Sequence, residues 1–282
     1  PLGAGNHNRV GKGGKMIEDC EKIEKRLREE IRKHADLAVL GISGGADSSL
    51  TAILCLRALG PENVYALSMP FNKHDAETFN ALSTRLADRL GIRHYVRDVA
   101  AIANAINARI AVLDSDTPND INKGNSRSRA RMCVLYGFAH DLGRHNPDKR
   151  VRVMGTGNLS EDFIGYDTKG GDALADIFPI GELFKSEVYQ ALEYFRDKGI
   201  IEEEHINRLP SAGLEDNQTD EQDLGYTYNE MEPGIRYCLD NYDSIDEHQL
   251  DEVTAFVWQR HLAHRHKHIA PTVIPLRHEY CS

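Results

Sequence analysis

The sequence predicts an α/β fold, a doubly wound parallel sheet with a helical C-terminal part, and two observations predict it. Short, almost uninterrupted apolar runs recur as "ADLAVLGI", "NVYALSM", "IRHYVRDV" and "RVRVMGTGN". Runs of this kind are the pattern of parallel strands buried on both faces. Between them lie segments whose apolar residues recur at helical spacing, and such alternation builds βαβ units.

In order along the chain, charged residues alternate with Ile17, Ile23, Leu27 and Ile31 from Met16 to about His34, which predicts a helix. The first strand follows over 35–42. A helix then runs to about Leu59, where Gly60-Pro61 breaks it. A second strand over 63–69 precedes a helix from Asp75 to Leu90, with Phe79, Leu82, Leu86 and Leu90 as its apolar residues. The third strand is expected over 92–99, and helices over Ala100–Leu113 and Ser126–Leu142. The fourth, over 150–158, enters a glycine-containing turn. Beyond Lys185 the pattern is helical, interrupted by a polar loop from Pro210 to Asp223 and closed by a long helix through about His264. The opening "PLGAGNHNRVGKGGK" is expected to be a disordered lead-in or a vector-derived remnant. Its Gly11–Lys15 stretch follows no strand and is not a phosphate loop. A single domain is therefore expected over 16–282.

Composition narrows the function. The chain has 282 residues, 40% hydrophobic and 28% charged, with a formal net charge of −10. That charge argues against non-specific nucleic-acid or anionic-membrane binding. No apolar stretch approaches the roughly 20 residues of a membrane span, and no secretory pattern opens the chain. The five cysteines are scattered singly without a C-x-x-C pair. This predicts a reducing cytoplasm and no zinc ribbon. Cys55 and Cys133 read as core positions of helices. Cys20, Cys238 and Cys281 lie in no motif that would activate a thiolate.

The chemistry is expected in the loops. Ser43-Gly44-Gly45-Ala46-Asp47-Ser48 follows the first strand and opens a helix, an arrangement whose backbone N–H groups cradle an anion. It lacks the lysine of a mononucleotide P-loop. Asp47 beside phosphate is repulsive unless a cation lies between, and magnesium suits one or two carboxylates plus phosphate oxygens. The plainer alternative is an acidic residue favoured by the helix dipole. Ligands of doubly wound sheets bind outside the carboxyl ends of the strands at a switch point. The Ser43 and Thr156 loops should therefore face one cleft.

The S-G-G-x-D-S loop resembles that of the N-type ATP pyrophosphatases, which have a Rossmann-like sheet of the adenine-nucleotide α-hydrolase type. They cleave ATP between the α and β phosphates. The stretch "RVMGTGNLSEDFIGYDTKGGDALADIFPIGELFKSEV" is similar to the corresponding segment of the NAD synthetase family in that superfamily. So are "NSRSRARM", "PSAGLEDNQTDEQDLGYTYNEM" and the late His266-Lys267 pair. The resemblance implies amidation of deamido-NAD with ammonia through a nicotinate acyl-adenylate. It implies ATP contacts at Gly41, Ile42, Ser43, Gly44, Gly45, Ala46, Asp47, Ser48, Thr156, Lys185 and Ser211. It implies Mg2+ at Asp47 and Glu161, and deamido-NAD contacts at Asn125, Arg129, Lys169, Asp176, His266 and Lys267. Asp172 is implied at the nicotinate and ammonia pocket, making Asp47, Glu161, Asp172 and Lys185 the catalytic group. The family further implies a homodimer, with no nucleic-acid or membrane partner.

Alternatives accompany these expectations. Another ATP pyrophosphatase, GMP synthetase-like or tRNA-modifying, would share the first loop. A non-catalytic nucleotide-binding module would have lost one of Asp47, Glu161 or Lys185, and all three are present. Lys185 could be a solvated helix residue, Arg129 and Arg131 decoration on a helix face, and Asp172 a turn former. His261, His264, His266 and His268 invite a metal, but no cysteine or acidic ligand stands beside them in the sequence. The family's usual alanine before Arg129 is Ser128 here, and Ala173-Leu174 replace a common glycine pair. Only a helix and the glycine-rich lead precede the sheet, so free ammonia rather than glutamine is the expected nitrogen donor.

Overall fold

Four parallel strands form the sheet in the computed structural model, which describes residues 17–110, 120–206 and 220–270. They are β1 (Leu37–Gly41), β2 (Val64–Ser68), β3 (Arg93–Val96) and β4 (Val151–Met154), in the order β3-β2-β1-β4. Ala38 of β1 pairs with Val64 of β2, and Leu40 with Met154 of β4. The chain winds outward from β1 to β3 and then crosses to the other side of β1. The switch point consequently falls between β1 and β4, where the expected loops emerge.

Helices cover both faces. In chain order they are α1 (Cys20–His34), α2 (Ala46–Leu59), α3 (Lys73–Leu90), α4 (Ala100–Asn107) and α5 (Asp120–His145). After β4 come α6 (Leu159–Ile164), α7 (Lys185–Asp197), α8 (Asp220–Leu224), α9 (Tyr228–Asp240) and α10 (Glu252–His264). Ala38 and Leu40 pack with Ile53 and Leu54 of α2, Leu86 of α3 and Leu192 of α7. Their neighbours Leu37 and Val39 pack with Met132, Leu135 and Ala139 of α5. Successive strand residues thus point into two different cores, which is why β1 shows no polar alternation. A further cluster built on Phe163, Met231, Ile235, Val257 and Trp258 joins α6, α9 and α10 below the loops that follow β4.

Several boundaries differ from expectation. β3 has four residues, and β4 stops at Met154, so 155–158 is a turn rather than strand. The turn leads into α6, whose six residues are too few for a periodic signal. Asn158 caps it, its Oδ1 accepting from the Glu161 amide at 3.1 Å. Helix α5 begins at Asp120, earlier than Ser126. Residues 210–219 of the expected Pro210–Asp223 loop lie outside the described ones, and helix α8 takes in its last four residues and Leu224, with Asp220 and Leu224 buried. Cys133 was placed in the core and is exposed. The face of α5 that meets the sheet carries Met132, Leu135 and Ala139, and Cys133 lies about 100° round the helix from Met132. The first fifteen residues, Ser211, Cys281 and the Phe79 side chain lie outside the described ones. Among the described residues no helix is long and apolar enough to cross a membrane.

Candidate active site

A cavity of about 950 Å3 opens at the carboxyl ends of β1 and β4. Gly41, Ile42, Ser43, Gly45, Ala46, Asp47 and Ser48 form one wall, and Thr156, Glu161 and Lys185 face them. Asn125, Arg129, Lys169, Asp172, His266 and Lys267 line its outer part. Chain segments separated by more than a hundred residues therefore meet in one cleft.

The Ser43–Ser48 loop is shaped by its own hydroxyls. Ser48 Oγ accepts from the Ser43 amide at 3.2 Å and donates to the Gly45 carbonyl at 3.2 Å, and Ser49 Oγ donates to the same carbonyl at 2.7 Å. Gly44 has φ +74°, and a Cβ there would stand 2.7 Å from Leu82 Cβ. Only glycine fits, and it turns away from the cavity, with its carbonyl 3.2 Å from Nδ1 of the buried His205. Gly45 caps α2 without a side-chain hydrogen bond. The first amides of that helix are thus aimed at the cleft, ready for an anion.

Opposite the loop lies a buried charge cluster. Lys185, the first residue of α7, is 3% exposed, and its Nζ donates to Asp47 Oδ2 at 2.6 Å and Glu161 Oε1 at 2.8 Å. The solvated-lysine alternative is excluded by that burial. Asn158 Nδ2 donates to Asp47 Oδ1 at 2.9 Å, so the Thr156 loop steadies the Ser43 loop directly. Burial works against the Lys185 ammonium, but Asp47 and Glu161 outweigh it and hold its pKa well above the ordinary lysine value. Burial pushes Glu161 up, to about 8, with Asp47 and Asp220 adding repulsion while Lys185 pulls the other way. Two carboxyl groups thus share one ammonium, and Glu161 holds its proton more readily than an ordinary glutamate.

The outer part of the cavity is framed by the 165–172 loop, which is gripped from two sides. Helix α5 holds it through Asn125, Ser128 and Arg129. The segment after α10 holds it through Lys267, whose Nζ donates to the Gly165 and Asp167 carbonyls at 2.7 Å each. Lys169 Nζ in turn donates to the His266 carbonyl at 2.7 Å. His268 Nε2 lies 2.6 Å from Asp167 Oδ2, and the hydrogen bond to that carboxylate raises its pKa. Asp162, Asp167 and His268 come close enough to suggest a metal. The Lys267 ammonium, 3.4 Å from Asp167 Oδ1, already supplies a cation there. His261 is half-buried and stacks on Phe163 and Trp258, its Nδ1 3.0 Å from the Phe163 carbonyl, so it packs α10 against α6. Asp176 lies apart from the cavity. It is exposed, with Oδ2 accepting from the Val153 amide at 2.8 Å and Oδ1 from Tyr136 Oη at 3.2 Å.

Comparison with known proteins decides the family. The profile of the NAD synthase family matches residues 19–271. The chain belongs to the NAD synthase family. It is 39% identical to the NH3-dependent NAD+ synthetase of Methanocaldococcus jannaschii over 78% of this chain and 80% of that one. The NH3-dependent NAD synthetase structure from Campylobacter jejuni superimposes with a TM-score of 0.69 at 28% identity, covering 91% of this chain and all of that one. The NMN synthetase of Francisella tularensis gives 0.72 at 28%, covering 92% and 99%. These neighbours share the Rossmann-like α/β sheet, and the family's enzymes are ligases.

Within this candidate site, sequence reasoning gave no role to Asn158 or Asp220, and noted Ser128 only as a departure from the family pattern. The N-L-S-E spacing from Asn158 to Glu161 is a helix-start signature that was available. The grip of Ser128 on Asp172 had none, because its partner lies 44 residues away.

Proposed function

We propose that the chain amidates deamido-NAD with free ammonia, ATP being the co-substrate. A nicotinate carboxylate oxygen attacks the α-phosphorus of ATP, and the bond from that phosphorus to the bridging oxygen of the β-phosphate breaks. Pyrophosphate departs into the Ser43–Ser48 loop, where the α2 amides and hydroxyls receive it. The acyl-adenylate then reacts with ammonia. A C–N bond forms, the bond from the carbonyl carbon to the AMP oxygen breaks, and one proton is released. Positioning and charge neutralisation supply most of the catalysis such a reaction needs. The observation that carries this proposal is the meeting of Asp47, Glu161 and Lys185 beside the uncapped start of α2.

Mg2+ belongs to the proposal. Asp47 and Glu161 come from the first turns of different helices, α2 and α6, yet converge on one ammonium, so both can serve one cation, and hard carboxylate oxygens with phosphate suit magnesium. Bound there, it would screen phosphate charge. Lys185 remains the protein's own cation toward the departing pyrophosphate.

The same proposal includes the homodimer. Asp176 lies outside this chain's cleft on an exposed edge, where an acceptor site shared with a second copy would use it. Scattered single cysteines support a cytoplasmic location. The test is release of AMP and pyrophosphate that depends on deamido-NAD, with ammonium as the nitrogen source. Offering the deamido form of nicotinamide mononucleotide in parallel separates this acceptor from that suggested by the Francisella neighbour. Equal or greater turnover on the mononucleotide would overturn the deamido-NAD assignment. Turnover on ammonia-free glutamine equal to that on ammonium would overturn the nitrogen donor.

A further inference from the structure

Asn125, Ser128 and Arg129 stand at i, i+3 and i+4 on α5, so one helical face presents all three to the 168–172 loop. Thr168 Oγ1 donates to Asn125 Oδ1 at 2.8 Å, and Arg129 Nε donates to the Lys169 carbonyl at 3.2 Å. Ser128 between them is buried, and its hydroxyl is used twice. It donates to Asp172 Oδ1 at 2.7 Å and accepts from the Asp172 amide at 3.0 Å. The Thr168 amide donates to the same Oδ1 at 2.8 Å. Gly171 lies so close that a Cβ there would collide with Ser128 Oγ. One carboxylate oxygen is thereby tied to the protein from two directions, and the backbone of the same residue is pinned by the same serine. Rotation about χ1 and χ2 of Asp172 would break both bonds to Oδ1.

We infer that Ser128 is a positioning residue for the amidation step: its hydroxyl sets the direction of the Asp172 carboxylate in the outer cavity and so governs capture of ammonia. This rests on the proposed role of Asp172 at the ammonia end of the cleft. Asp172 lies in a loop with Gly170 and Gly171, one of which has φ +76°, so its backbone alone does not fix the side chain. The serine compensates. Ammonia offers only N–H donors and one lone pair, and an acceptor that wanders loses it to bulk water. When the amine arrives late, the acyl-adenylate hydrolyses instead, giving AMP without the amide.

The test is Ser128→Ala, which keeps the helix, since alanine is the best helix former. A hydrogen bond to a charged group is typically worth enough to change an equilibrium about tenfold. The expected result is a KM for ammonia raised about tenfold, with the KM values for ATP and deamido-NAD within about twofold of wild type. The ratio of AMP released to amide formed should rise at subsaturating ammonium. A loss of folded protein would lower both products together and leave that ratio unchanged. Asp172→Ala separates the two levels of inference. If it raises the ammonia KM and the AMP excess, while Ser128→Ala in that background adds little, serine acts through the carboxylate. If Asp172→Ala is impaired but Ser128→Ala alone matches wild type, the positioning role is overturned and the role of Asp172 stands. If the serine effect adds in full to the aspartate effect, serine acts elsewhere and the inference is again overturned. If Asp172→Ala handles ammonia normally, the assignment of Asp172 falls, and the role of Ser128 with it.

Discussion

Asp47→Asn isolates the charge of the Ser43–Ser48 loop from its shape. The amide keeps the carboxylate's outline, and its Oδ1 can still accept from Asn158 Nδ2, the bond now 2.9 Å long. Lys185 loses one partner at 2.6 Å but keeps Glu161 at 2.8 Å. Removing the Asp47 charge also removes one of the repulsions that raise the Glu161 pKa, so Glu161 ionises more readily opposite Lys185 and no buried cation is stranded. The fold should therefore lose less than about 1 kcal/mol. Adenylylation should fall by about 10²–10³, the usual cost of removing one group that stabilises developing charge and equivalent to about 2.7–4 kcal/mol. Pyrophosphate release with saturating ATP and deamido-NAD measures the rate across a magnesium titration, and urea denaturation of the same preparations measures the fold. A variant with near-wild-type turnover at saturating magnesium would refute the assignment. A variant that loses activity and several kcal/mol of stability together would show Asp47 to be structural.

Lys185→Met should behave in the opposite way. It leaves the half-buried Asp47 and Glu161 without their ammonium, which should cost about 1–3 kcal/mol; urea curves indistinguishable from wild type would contradict the account of the cluster. Lys267→Met removes two 2.7 Å bonds to the Gly165 and Asp167 carbonyls. Calorimetry should show deamido-NAD binding weakened about tenfold and ATP binding nearly unchanged, and equal losses for both would point to general destabilisation. For His268, the Asp167 hydrogen bond raises the folded pKa above 6.5. Its stabilising contribution is thus complete below the unfolded pKa and lost as pH rises through the folded one. The stability gap between wild type and His268→Gln should narrow as pH climbs above 6.5, and a gap that widens would reverse the sign. In the same experiment, Asp167→Asn should return the His268 imidazole midpoint, followed by NMR, toward the ordinary value.

What was legible in the sequence follows the range of the interactions involved. β1 and β2 were readable because both their faces are buried, which forces an apolar run in the chain itself. α6 and α8 were not, because six and five residues hold too little of a 3.6-residue period, and tertiary burial of Phe163 and Leu224 stabilises them. Cys133 shows the same limit in a long helix. An apolar residue one place from the buried row looks like core until the orientation of the helix is known.

The candidate active site divides in the same way. Asp47, Glu161 and Lys185 could be named because motifs carry them, yet nothing local says that a lysine opening α7 is 3% exposed and held by two carboxylates from the first turns of α2 and α6. The outer cavity goes further against local reading. Asn125, Arg129 and Lys267 were expected as contacts to the acceptor, but each also holds the loop that carries Asp172. A cation that donates to backbone carbonyls has spent part of its hydrogen-bonding capacity before any substrate arrives, and Lys267 makes two such bonds at 2.7 Å. Any contribution of Lys267 to the proposed acceptor site would then come largely through the loop that carries Thr168, Lys169 and Asp172. Ser128 takes this to its limit: with no charge and no motif role, it makes two bonds to the one residue on which the nitrogen donor is expected to depend.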